Sequence, residues 1–109
     1  MHELGITRNI VAIVGEKAGT SKVKRISLDI GKLSAIMPDA VRFCFDVCAK
    51  DTALEGAQLE INEIPGLGRC NECGNEIQLE HVYGQCPCGC RHIQCIAGEE
   101  LMIKEMEVY

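Results

Sequence analysis

Apolar positions recur at helical spacing from the fourth residue onward. Ile6, Ile10 and Ile13 form one stripe, and Leu4, Val11, Val14 and Ala18 form a neighbouring one. That pattern predicts an amphipathic helix over residues 4–18. Gly15 weakens its last turn, and Gly19 is placed to stop it. Residues 23–30 then alternate: Ile26, Leu28 and Ile30 face one way, and Arg25, Ser27 and Asp29 the other. A half-buried strand has that period, and Gly31 ends it. Pro38 and Asp39 open a second helix, with proline in the first turn where its missing N–H costs nothing. Val41, Phe45 and Cys48 follow at i, i+4 and i+7. Residues 57–64 predict a second strand with Leu59 and Ile61 on its buried face. Residues 99–108 predict a third, whose apolar phase shifts between Leu101–Ile103 and Met106–Val108.

Residues 66–98, between the last two strands, read differently. They are sparse in apolar residues, rich in glycine, and hold six of the eight cysteines. A segment of that composition cannot fold on a hydrophobic core, so a metal must organise it. The expected fold is α+β: two helices on a three-stranded antiparallel sheet, with an inserted zinc-ribbon-like domain. Residues 1–65 and 99–109 would form the discontinuous main domain and residues 66–98 the zinc-binding one.

Eight cysteines among 109 residues change the chemical picture. The start of the chain has no basic n-region, so no secretory leader is read there. No apolar run approaches the roughly 20 residues needed to span a bilayer. A cytoplasmic location follows as an expectation, and paired cysteines in a reducing compartment hold metal more often than they form disulfides. The net charge of −5 argues against nucleic acid as the main partner. Lys22, Lys24 and Arg25 are the one basic cluster, and they read as a solvated strand edge.

Cys70-Asn71-Glu72-Cys73-Gly74 is a C-x-x-C-G turn. Its spacing lets two sulfurs reach one ion, and the glycine suits the positive φ that follows. Twelve residues later comes Cys86-Pro87-Cys88-Gly89-Cys90. This turn offers C-x-C through Cys86 and Cys88, or C-x-x-x-C through Cys86 and Cys90. Cys86 with Cys88 is favoured because Cys88-Gly89 repeats Cys73-Gly74, and Cys90 remains a substitute. A closed four-thiolate zinc site has no open position for water, which argues against zinc hydrolysis. Cys44 and Cys48 read as small residues on the core side of the second helix. Cys90, Cys95 and His92 read as bystanders; the rival reading is redox sensing, in which spare thiols near a zinc site oxidise and release the metal.

Met1, His2 and Glu3 carry a second kind of chemistry. The terminal amine, the His2 amide nitrogen and the His2 imidazole form adjacent chelate rings. Nitrogen donors in a near-planar array suit Ni(II) or Cu(II).

Together, the opening Met1-His2-Glu3, the first helix, the late cysteine pairs and Gly98-Glu99-Glu100-Leu101 leading to Glu107-Val108 resemble the HypA/HybF hydrogenase maturation nickel metallochaperones. The resemblance covers nearly the whole chain, and its specificity lies in the order and spacing of the motifs. It implies a non-enzymatic metal carrier. His2 would be the essential nickel ligand, Glu3 a supporting one and Met1 a further donor; Cys70, Cys73, Cys86 and Cys88 would hold structural zinc. It also implies a maturation GTPase and the large subunit of [NiFe]-hydrogenase as partners, and urease maturation in some organisms. Oligomeric state, monomer or homodimer, is left open. The family's second turn is usually C-P-x-C; here one residue is missing and Cys90 follows, which leaves Cys88 and Cys90 as alternatives for the fourth zinc ligand. Two other functions compete. A zinc-ribbon adaptor for nucleic acid should show basic residues on its hairpin, but residues 75–85 contain no Lys or Arg. A thiol redox switch would need an accessible cysteine of low pKa.

Overall fold

The structure is a computed structural model. It describes the backbone of residues 2–81 and 83–109 and, among these, every side chain except that of His2. The chain runs α1 (His2–Ala18), β1 (Val23–Gly31), α2 (Pro38–Ala49), β2 (Gln58–Ile64), β3 (Gly66–Cys70), β4 (Glu76–Leu79), β5 (Ile93–Ala97) and β6 (Leu101–Val108). It packs as two compact units. One comprises residues 1–29, 36–62 and 102–109; the other comprises residues 30–35 and 63–101.

Helix α1 buries Thr7, Ile10, Val11 and Val14, a stripe at i, i+3, i+4 and i+7. The apolar pattern placed Ile13 in that stripe, yet Ile13 is 46% exposed and Thr7 only 1%. Thr7 tolerates burial because its hydroxyl donates to the Glu3 carbonyl one turn back. Helix α2 starts after Met37, whose extended backbone and the following Pro38 set the first turn. It buries Val41, Phe45 and Ala49, while Cys44 and Cys48 are half-buried.

Strand β1 is central in a three-stranded sheet of order β2-β1-β6. Central placement pairs both of its edges. Ile26 and Leu28 are fully buried as the alternation predicts, and Ser27 opposite them is buried too. Its hydroxyl accepts from the Asn62 amide, which also reaches Asp29. No buried side-chain polar atom among the described residues lacks a partner.

The two helices and three strands of this sheet are as expected, but one strand direction differs from the all-antiparallel arrangement. Beside β6, the Gly31 N–H donates to Glu100 and the Tyr109 N–H to Lys22, which is an antiparallel pairing. Beside β2, the Val23 N–H donates to Ala53 and the Lys32 N–H to Ile64, with Arg25 on Glu60 and Asn62 on Ser27 between them. Residue numbers rise together along both strands, so β1 and β2 are parallel. The cause is the connection: a parallel pair needs a crossover of a dozen or more residues, and α2 supplies it. In β6, Ile103 and Met106 are the half-buried residues, so the phase shift read from sequence persists in the burial.

The second sheet, of order β4-β3-β5, is antiparallel throughout. Arg69 faces Glu76 across it and binds that carboxylate at 2.9 Å. Cys70 closes β3 opposite Ile93 of β5.

Candidate metal centre

Strand β3 delivers Cys70 to the start of a tight turn. The Gly74 N–H donates to the Cys70 carbonyl at 3.0 Å, and the Cys73 N–H reaches the Cys70 sulfur at 3.5 Å. The second turn repeats the device: the Gly89 N–H donates to the Cys86 carbonyl at 2.8 Å. Gly74 has φ +75° and Gly89 φ +97°, a region that costs a residue with a side chain and not glycine. The two turns face each other and bring four sulfurs together.

Those sulfurs belong to Cys70, Cys73, Cys86 and Cys88, all within 4.8 Å of one another. Cys70 Sγ lies 3.6 Å from Cys88 Sγ, and Cys73 Sγ lies 3.5 Å from Cys86 Sγ. A zinc tetrahedron with sulfurs at about 2.3 Å has edges of about 3.8 Å. The donor set and its spacing therefore fit Zn(II) and the soft, closed site expected of a structural ion. Cys70 and Cys86 are buried and Cys73 and Cys88 exposed, so one edge of the tetrahedron faces inward and the opposite one outward.

The thiols do not titrate alike. The Cys73 N–H, helped by the Glu72 N–H and opposed by burial, lowers Cys70 to about 6. At Cys86 the Cys88 N–H also favours the thiolate, yet burial and the sulfurs of Cys73, Cys88 and Cys70 outweigh it and push the thiol up to about 12. Without a cation the cluster cannot hold four negative charges at such spacing; a dication among the sulfurs inverts that preference.

Cys90 is the residue whose place sequence reasoning left unsettled. It is buried beside Cys70 and Cys86, with Ile77 and Ile93 packed against the three. Its sulfur accepts from the His92 N–H at 3.3 Å. That N–H favours the thiolate, but burial and the facing Cys70 sulfur raise the thiol overall. Cys95 is half-buried on β5, and burial followed by the Glu99 carboxylate raises its pKa.

The expected nickel ligands are less completely described. Met1 and the side chain of His2 lie outside the described residues. Glu3 is in the first turn of α1, where the helix dipole favours a carboxylate. Its Oε2 accepts from the Met37 N–H at 3.2 Å. Its own backbone N–H, then that of Met37, hold its pKa below the usual carboxylate range. Nothing in the local sequence announced this tie, because Met37 lies 34 positions away.

A small α+β protein whose four clustered cysteine sulfurs could fill a zinc tetrahedron fits the class in which zinc is structural. The family model described as hydrogenase/urease nickel incorporation, metallochaperone, HypA matches residues 1–108. The chain belongs to the HypA family. It is 68% identical over 108 residues to the hydrogenase maturation factor HypA of Nostoc sp., covering 99% of this chain and 96% of that one. It is 45% identical to the same-named protein of Geobacter metallireducens, covering 99% of each. The fold is similar to the solution structure of the nickel metallochaperone HypA from Helicobacter pylori, with a TM-score of 0.69 at 20% identity over 97% of this chain and 96% of that one.

Proposed function

We propose that this chain binds Ni(II) through His2, with Glu3 and the Met1 amine in support, and delivers it for the maturation of [NiFe]-hydrogenase. Nickel metallochaperone activity in hydrogenase maturation comes with membership of the HypA family. The observation that carries the site assignment is the reach of the family match. It begins at residue 1 and so includes Met1-His2-Glu3. Terminal amine, amide nitrogen and imidazole make a near-planar nitrogen set suited to Ni(II). Such a site is open-sided, which suits an ion that must be handed on.

Zn(II) at Cys70, Cys73, Cys86 and Cys88 holds residues 66–98 in shape, and residues 1–65 and 99–109 form the nickel-binding domain. The protein carries an ion and transforms no substrate. A maturation GTPase and the hydrogenase large subunit are the partners, the cytoplasm the compartment, and urease maturation proteins further recipients where urease is present. Glu3 acts by position: its bond to the Met37 N–H fixes the first turn of α1, the turn that presents His2.

The test is a calorimetric nickel titration of the zinc-loaded protein with an untagged native N-terminus, against His2→Ala. Binding near one ion per chain that disappears in the variant is expected. Binding that survives in His2→Ala would refute the assignment. Protons compete with nickel for the imidazole. The terminal amine and the amide nitrogen must also lose protons, so affinity is expected to fall by more than tenfold per pH unit below a histidine pKa near 6.5. A flat affinity from pH 7.5 to about 5.5 would point away from His2.

A further inference from the structure

The cysteine unit brings five thiols to a centre with four coordination positions. Cys88 is exposed, whereas Cys90, two residues on, is buried against Cys70 and Cys86. The Cys90 sulfur already accepts a backbone N–H, from His92 at 3.3 Å. Cys70 receives the same kind of bond from Cys73 at 3.5 Å. A backbone N–H aimed at a sulfur is the kind of bond a metal-bound sulfur accepts. The Cys86 N–H donates to the Cys90 carbonyl at 2.9 Å, so the two ends of the turn are pinned while Cys88 and Gly89 lie between them.

We propose that Cys90 is a reserve zinc ligand, able to take the place of Cys88 beside Cys70, Cys73 and Cys86. The inference rests on the reading of the four-thiol cluster as a zinc site. Zinc has a filled d shell and no d-electron preference for one geometry over another, so one thiolate exchanges for another at little cost. The exchange is balanced. The Zn–S bond to Cys88 breaks as the bond to Cys90 forms, and the proton leaving the Cys90 thiol is taken up by the released Cys88 thiolate. The ion keeps four sulfurs and the cluster keeps its charge. The Cys88 thiol can thus be withdrawn while Cys70, Cys73, Cys86 and the ion stay in place; where a soft cation or an electrophile from solvent takes the Cys88 sulfur, the Cys90 proton goes to solvent instead. Moving Cys88 needs only the turn between the two pinned ends to reorient.

The experiment compares full-length wild type with Cys88→Ser, Cys90→Ser, the Cys88→Ser/Cys90→Ser double variant and Cys70→Ser. Zinc per chain is measured after a chelator challenge, and sulfur neighbours of zinc by X-ray absorption. Wild type and both single variants at positions 88 and 90 are expected to keep about one zinc with four sulfurs. The double variant and Cys70→Ser are expected to lose the ion, with the helical circular dichroism retained. Three sulfurs in Cys88→Ser, or zinc loss as complete as in the double variant, would overturn the proposal. So would a double variant that keeps four sulfurs. Fewer than four sulfurs in wild type would instead overturn the zinc reading beneath it, so the two failures are distinguishable.

Discussion

The two units of this protein are held together by different means. The unit containing both helices buries Ile10, Val11, Val14, Val23, Ile26, Leu28, Val41, Phe45, Ala49 and Leu54. The unit containing the second sheet buries Cys70, Cys86 and Cys90, with few large apolar side chains beside them. The first has a core that the hydrophobic effect can drive; the second has sulfurs where a core would be. A short chain can thus hold two ordered bodies without two hydrophobic cores, by giving one of them to a metal.

The strongest way to break that comparison is to remove the ion. Structural zinc supplies on the order of 10 kcal/mol of folding free energy in small metal-dependent domains. Chelation, or Cys70→Ser, is expected to abolish amide-exchange protection across residues 66–98 and leave that of α1 and α2 largely intact. Loss of all secondary structure together would mean that the units do not fold separately.

The converse change tests the other unit. Ile26 is fully buried at the centre of β1. Ile26→Ala is expected to destabilise the helical unit by about 3 kcal/mol, from lost burial and the cavity left behind. Urea unfolding followed at the helical signal measures it, while zinc content should stay near one per chain. A variant that also sheds zinc would tie the metal centre to the apolar core.

A smaller effect sharpens the polar side of the sheet. Arg25 binds Glu60 at 2.6 Å, Glu105 at 2.9 Å and Glu107 at 3.0 Å. The three carboxylates are about half exposed, so solvent screens each pair. Arg25→Ala is expected to destabilise by more than the loss of a single surface pair, because three like charges lose their common partner. The Arg25 guanidinium holds Glu105 below the usual carboxylate range. A depressed folded pKa gives stability that is present above the unfolded value and is lost as pH falls through the folded one. Wild type should therefore lose this contribution below about pH 4.3. Arg25→Ala should lose less over the same interval; denaturant midpoints at pH 7 and pH 3 compare them.

Most of the helical unit was legible because its signals are local. Ile26, Leu28 and Ile30 alternate, Pro38 opens a helix and Gly19 closes one, and each is a statement about a few neighbouring residues. Leu54 was missed: it is fully buried in a turn, where no periodicity marks it. Ser27 and Thr7 were missed as core residues for a related reason. Their burial depends on partners, Asn62 for one and the Glu3 carbonyl for the other, that composition does not reveal.

The sequence by itself determined the chemistry. Two cysteine turns, each with a glycine that can take positive φ, supply the thiols of a four-sulfur site because the turn and the sulfurs lie in the same few residues, with Cys88 and Cys90 left as alternatives for the fourth. Only the tertiary structure decided the direction of β2, the meeting of Glu3 with the Met37 N–H, and the burial of Cys90 against Cys70 and Cys86. Each of these is a pairing across many residues. Loop closure and packing fix such pairings, and those terms depend on the whole chain rather than on any window of it.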